Sequence, residues 1–236
     1  MTSSDPIDAL AEEGEAALED GEYDVALEIF ESLLQSDPEH WGASLRRAEC
    51  LHLLWRTGPA LTAVRALTPP SDEEDDPDRA DLEGSILETM GQEEEADRLF
   101  EEAHRLDPEH YALPVRLTPE DFKTLLDKVL ASLPRVIREA VLEVPVVVQS
   151  KPNREMADQA PEINPELLGL FSGTSIGDKQ GSLIDEADAV YLFQRNLERS
   201  GLSRQEIMKE IKITLLHEYG HYLGLDEEEL EHLGLG

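Results

Sequence analysis

The sequence predicts an α+β chain in two parts: an all-α N-terminal half of helical hairpins, then a small α+β domain. Two observations carry this. The N-terminal half repeats itself: Gly14, Gly21, Ala26, Phe30, Asp37, Pro38 and His40 recur as Gly84, Gly91, Ala96, Phe100, Asp107, Pro108 and His110, each pair 70 residues apart. The C-terminal half mixes helix signals with two strand-sized apolar runs, Val144–Val148 and Ala189–Phe193. The expected division is a repeat domain over 1–115 and a second domain over 116–236, joined through Tyr111–Leu117.

The spacing of 70 residues is two units of about 35, close to the period of 34 of a helix–turn–helix repeat. The pattern G-x(11)-A-x3-F-x7-P resembles the tetratricopeptide repeat. Its physical basis is packing: small residues let the two helices of a hairpin approach, the aromatic fills the groove between them, and proline ends the second helix. A degenerate middle unit over Trp41–Thr68 keeps Ala48, Ala60 and Val64 in the expected places, with its turn shifted towards Gly58-Pro59. Three hairpins over 7–110 are expected. Such repeats point to a protein partner on their surface, or to a role in stabilising the other domain.

In the second half, Thr118 as cap and Pro119 at the first helical position predict a helix to about Leu133, broken by Pro134. A short helix, Arg135–Leu142, should lead into a strand over Val144–Gln149. Lys151–Pro165 reads as a loop near the cleft. The glycine-rich stretch 169–181 lacks the Ser or Thr after Lys179 that a phosphate loop needs, so a turn or hairpin is expected there. Ser203 and Glu206 form a capping box at the start of a long helix with the apolar stripe Ile207, Ile211 and Leu215. Gly224 suits the left-handed end of that helix.

This last helix carries His217-Glu218-Tyr219-Gly220-His221, an H-E-x-x-H motif. Histidines four residues apart share one face, so both imidazoles reach one metal ion. The Glu between them is placed to take a proton from water at that metal. With fifteen residues after His221, a downstream third ligand is expected close by. The spacing H-E-x-x-H-x-x-G-x-x-E ends at Glu227, and a carboxylate is a normal zinc ligand. Asp226 and His232 are the alternatives. No Met follows the motif, so a Met-turn is not expected.

These residues and the stretches Leu117–Pro134, Val144–Val148, Leu167–Phe171, Ala189–Asn196 and Ile211–Gly234 resemble the minimal zincin-like metallopeptidase family of bacterial proteins. The likeness covers about half the chain. It implies a zinc-dependent hydrolase fold, with His217 and His221 as ligands, Glu218 as general base and an acidic residue at the position of Glu227. The stretch Phe171–Asp188 departs from the family pattern. The implied reaction is hydrolysis of a peptide or protein substrate with Zn2+ as cofactor. Ala189–Phe193 could take substrate backbone as an edge strand or simply form core. Tyr219, Tyr222 and Tyr191 are candidate donors to an oxyanion.

The net charge of −33 argues against nucleic acid, whose phosphates would be repelled, and fits a heavily solvated surface or the steering of basic partners. The run Asp72–Asp78 reads as an exposed loop. No apolar run is long enough to cross a membrane. The acidic N-terminus has no signal-peptide pattern, and the single cysteine, Cys50, is expected buried and unpaired. A reducing cytoplasm fits best. The competing class is a catalytically inactive zinc-binding scaffold acting through its repeats. It would show a closed site of four protein ligands.

Overall fold

A computed structural model describes residues 6–68, 76–160, 163–174, 188–201 and 203–232, without the side chains of 227 and 231. Six helices come first: α1 (Pro6–Glu19), α2 (Tyr23–Ser36), α3 (Trp41–Leu53), α4 (Thr57–Arg65), α5 (Pro77–Thr89) and α6 (Glu93–Leu106). They pair as the three expected hairpins. The repeated residues act as their spacing implies. A methyl group on Gly14 would stand 2.7 Å from the Phe30 ring, and one on Gly84 would stand 2.7 Å from the Phe100 ring. Ala26 and Ala96 are fully buried beside them. Gly21 and Gly91 turn the first and third hairpins in left-handed backbone, at φ +76° and +77°.

The middle hairpin departs from the sequence expectation. Its turn falls at Leu54–Arg56, and Gly58 and Pro59 lie inside the first turn of α4, where proline is tolerated. The left-handed residue of this turn is Trp55, at φ +59°. For a bulky residue that conformation costs about 1–2 kcal/mol. The acidic run is also more ordered at its end than a loop. Asp76 caps α5 by accepting from Arg79 N at 3.0 Å, and Asp78 lies in its first turn, while residues 72–75 lie outside the described ones.

The later elements are α7 (Pro119–Ser132), α8 (Arg135–Glu143), β1 (Val146–Gln149), α9 (Arg154–Gln159), β2 (Gly169–Ser172), β3 (Ala189–Phe193), α10 (Gln194–Ser200), α11 (Arg204–Leu223) and α12 (Glu227–His232). Thr118 caps α7 as expected, accepting from Asp121 N at 3.1 Å. The sheet order is β1-β3-β2, with β1 parallel and β2 antiparallel to β3. Val190 and Leu192 face a core shared with Phe122, Leu126, Ile207, Ile211, Leu215 and Tyr219. Ala189 and Phe193 are buried on the opposite face. β3 is central because it pairs with β1 on one side and with β2 on the other. The expectation that it could be an edge strand for substrate is therefore corrected: among the described residues the edge strands are β1 and β2, and β2 is the one that meets Glu218.

The chain divides into two compact units, Met1–Leu113 with Asn153–Pro165, and Pro114–Pro152 with Glu166–Gly236. The stretch expected as a loop near the cleft thus groups with the repeats. It also contains a helix, α9, because Asn153 caps it by accepting from Met156 N at 3.1 Å.

Candidate metal centre

The metal helix begins and ends as its sequence dictates. Ser203 caps the helix by accepting from Glu206 N at 3.3 Å, while Glu206 Oε2 accepts from the Ser203 hydroxyl at 2.9 Å, in place of the backbone N–H that the expected capping box would use. Gly224 ends α11 at φ +91°, and Leu225 N–H returns to Gly220 O at 3.0 Å in a Schellman-type stop. The chain then reverses into α12. Leu230 is fully buried, and a methyl group on Gly220 would stand 2.5 Å from its Cδ2. Glycine inside the H-E-Y-G-H motif is what lets α12 fold back onto the metal helix.

His217 and His221 converge. Their Nε2 atoms are 2.9 Å apart, with the rings edge to face at 84°. Two nitrogens on one tetrahedral zinc stand about 3.3 Å apart, given Zn–N bonds of about 2.05 Å. The pair is therefore within a few tenths of an ångström of a chelating geometry. His221 Nδ1 lies 3.3 Å from Leu225 O. In the tautomer with its proton on Nδ1, His221 donates to that carbonyl and keeps an Nε2 lone pair on the side shared with His217. The donor set suits a divalent zinc.

The three candidates for a third ligand are placed differently. Asp226 is the N-cap of α12: its Oδ1 accepts from Glu229 N at 2.9 Å while Glu229 Oε2 accepts from Asp226 N at 3.1 Å. This reciprocal box engages one oxygen, Oδ1, of the Asp226 carboxylate. His232 is exposed, with Nδ1 2.6 Å from Glu228 O at the far end of the helix. Glu227 opens α12, and its side chain lies outside the described residues. Among the described residues, no group of three His, Cys, Asp or Glu side chains converges on one point.

Glu218 is buried at 8% exposure, and its Oε2 accepts from Phe171 N at 2.6 Å. That bond is a consequence of register. Phe193 N donates to Leu168 O at 3.0 Å. By the alternation of an antiparallel pair, Gly169 and Phe171 then turn their own N–H and C=O groups away from β3. Gly169 also lets β2 approach α11: a methyl group there would meet Thr214 Cγ2 at 2.4 Å and Glu218 Cγ at 3.2 Å. Neither Gly169 nor the Phe171 amide was named as functional by sequence reasoning. The available signal was a glycine within an otherwise apolar strand-like stretch, which marks close backbone approach.

Of the three candidate oxyanion donors, Tyr219 and Tyr222 have their hydroxyls bonded within the fold. Tyr219 is fully buried and donates to Val144 O at 2.7 Å. Tyr222 donates to Glu143 Oε2 at 2.9 Å and packs edge-on against Phe171 with ring centroids 5.6 Å apart. Tyr191 alternates with Val190 and Leu192, so it points to the sheet face opposite the α11 core.

Comparison with protein families agrees with this architecture. Residues 141–236 match the zincin-like metallopeptidase family, and residues 17–85 match the tetratricopeptide repeat. A stretch similar to the tetratricopeptide repeat thus precedes one similar to the zincin-like metallopeptidase family. No curated protein matches it. No helix among the described residues is long and apolar enough to cross a membrane.

Proposed function

We propose that residues 116–236, the segment 153–165 apart, act as a zinc-dependent peptidase, with a repeat domain over 1–115 for docking. The observation that carries this reading is the convergence of His217 and His221 Nε2 at 2.9 Å on a helix whose intervening Glu218 is buried beside an edge strand. His217, His221 and Glu227 would hold the zinc. When bound, zinc supplies Lewis acidity that polarises a carbonyl and acidifies water. Glu218 accepts the proton of the attacking water and later delivers it to the leaving amine. The outward groups of Gly169 and Phe171 on β2 offer a main-chain rail for an extended peptide, as in strand addition to a sheet edge. In this account Glu218 exchanges the Phe171 amide for the water proton once substrate lies along β2.

The test is elemental analysis of wild type beside His221→Ala, with hydrolysis of a peptide library measured in parallel. About one zinc per chain, lost in His221→Ala, is the expected result for a two-histidine chelate. Glu218→Gln should keep its zinc and lose hydrolysis; hydrolysis retained in that variant refutes the base. Absence of zinc from wild type after zinc is supplied would leave the inactive repeat scaffold as the reading.

A further inference from the structure

The turns of the outer hairpins are made by glycines, at φ +76° and +77°, whereas the same turn of the middle hairpin holds Trp55 at φ +59°. A bulky side chain in left-handed backbone persists where its surroundings hold it there. Trp55 is held through both side chain and main chain. Its indole N–H donates to Ile163 O at 2.7 Å, and its carbonyl accepts from Arg154 Nη1 at 3.3 Å. Nearby, at the start of α2, the Tyr23 hydroxyl accepts from Asn164 Nδ2 at 3.2 Å. Ile163 itself is only 2% exposed. Arg154 is steadied one turn on by Asp158, at 2.8 Å.

We propose that Trp55 and Tyr23 form a recognition site on the repeats for an Ile-Asn segment, and that its occupant is the chain's own Ile163-Asn164 with Arg154, bound in cis. The site reads three features: a main-chain carbonyl through the indole, a carboxamide through the phenol, and a guanidinium against the Trp55 carbonyl. Glycine would satisfy the turn, as it does at positions 21 and 91, but it has no indole. The strained backbone is kept where the side chain makes a contact that glycine cannot. The repeats therefore grip part of the connection between β1 and β2, and this holds whether or not the metal centre hydrolyses anything.

The test is limited trypsin digestion of the full chain, reading cleavage after Arg154 by mass spectrometry. Trp55→Gly eases the turn and removes the indole. Ile163→Asp alters the segment and leaves the helical repeats untouched. Both should raise cleavage after Arg154 by about tenfold with helicity retained, since protection reports the population of the released segment. Unchanged cleavage in both variants overturns the proposal. If Trp55→Gly loses helicity, Ile163→Asp decides by the same readout. Loss of helicity in both would make the segment a structural strut and would likewise overturn the proposal.

Discussion

At the scale of residues, the metal helix separates chemistry from packing by periodicity. His217 and His221 were legible because positions four apart share a helical face whatever the rest of the chain does. The tyrosines were not, because which way a phenol points depends on what lies beside the helix. Tyr219 shows the consequence. Burial, and secondarily the neighbouring Tyr222, push its phenol well above the ordinary 10.0. The folded state therefore holds this proton more tightly than the unfolded chain. Its contribution to stability is complete below pH 10 and is lost as pH rises towards the folded value. Tyr219→Phe should cost about 1–3 kcal/mol near neutrality by leaving the buried Val144 carbonyl unpaired. The gap to wild type should narrow above about pH 10, read as urea midpoints at two pH values. A constant gap would show that the phenol titrates normally.

At the scale of elements, the repeat is a packing device that the sequence displayed twice. Gly14 meets Phe30 and Gly84 meets Phe100, each at 2.7 Å for an added methyl. Alanine favours a helix over glycine by about 1 kcal/mol, so on propensity alone Gly14→Ala and Gly84→Ala would stabilise. Crowding a buried aromatic costs about 1–3 kcal/mol, and at this separation the steric cost wins. Both substitutions should lower the thermal midpoint, whereas Gly42→Ala, whose methyl would meet His40 Cε1 at an ordinary 3.5 Å, should not. Equal effects at all three positions would remove the packing argument. The sheet was less legible. An apolar run of five residues is compatible with a central or an edge strand, and only pairing distinguishes them. Because β1 and β2 both pair with β3, the unpaired edge near Glu218 belongs to β2, a strand the sequence marked only as part of a turn or hairpin.

At the scale of the whole molecule, the apolar side chains gather into separate cores. One lies under α7, α11 and the sheet; another runs through α1–α5 and contains Cys50. Burial pushes the Cys50 thiol up to about 12, so it reacts only when its own core opens. Zinc bound at saturation should stabilise the unit that holds it, by about 4 kcal/mol at a thousand times its dissociation constant. A chelator should therefore lower the unfolding transition of the metal unit and leave the rate of Cys50 labelling unchanged. Faster labelling on chelation would mean that the two units unfold as one. The sequence by itself determined the helical repeats and the capped helix α11 that carries His217, Glu218 and His221, because each follows from local periodicity and caps. Tertiary structure alone decided that β3 is central, that β2 is the edge beside Glu218, and that the Phe171 amide meets the Glu218 carboxylate where Gly169 allows close approach. It also decided that Trp55 replaces a turn glycine to hold Ile163. Each of these is a contact between residues far apart in the chain, and no local spacing encodes such a contact.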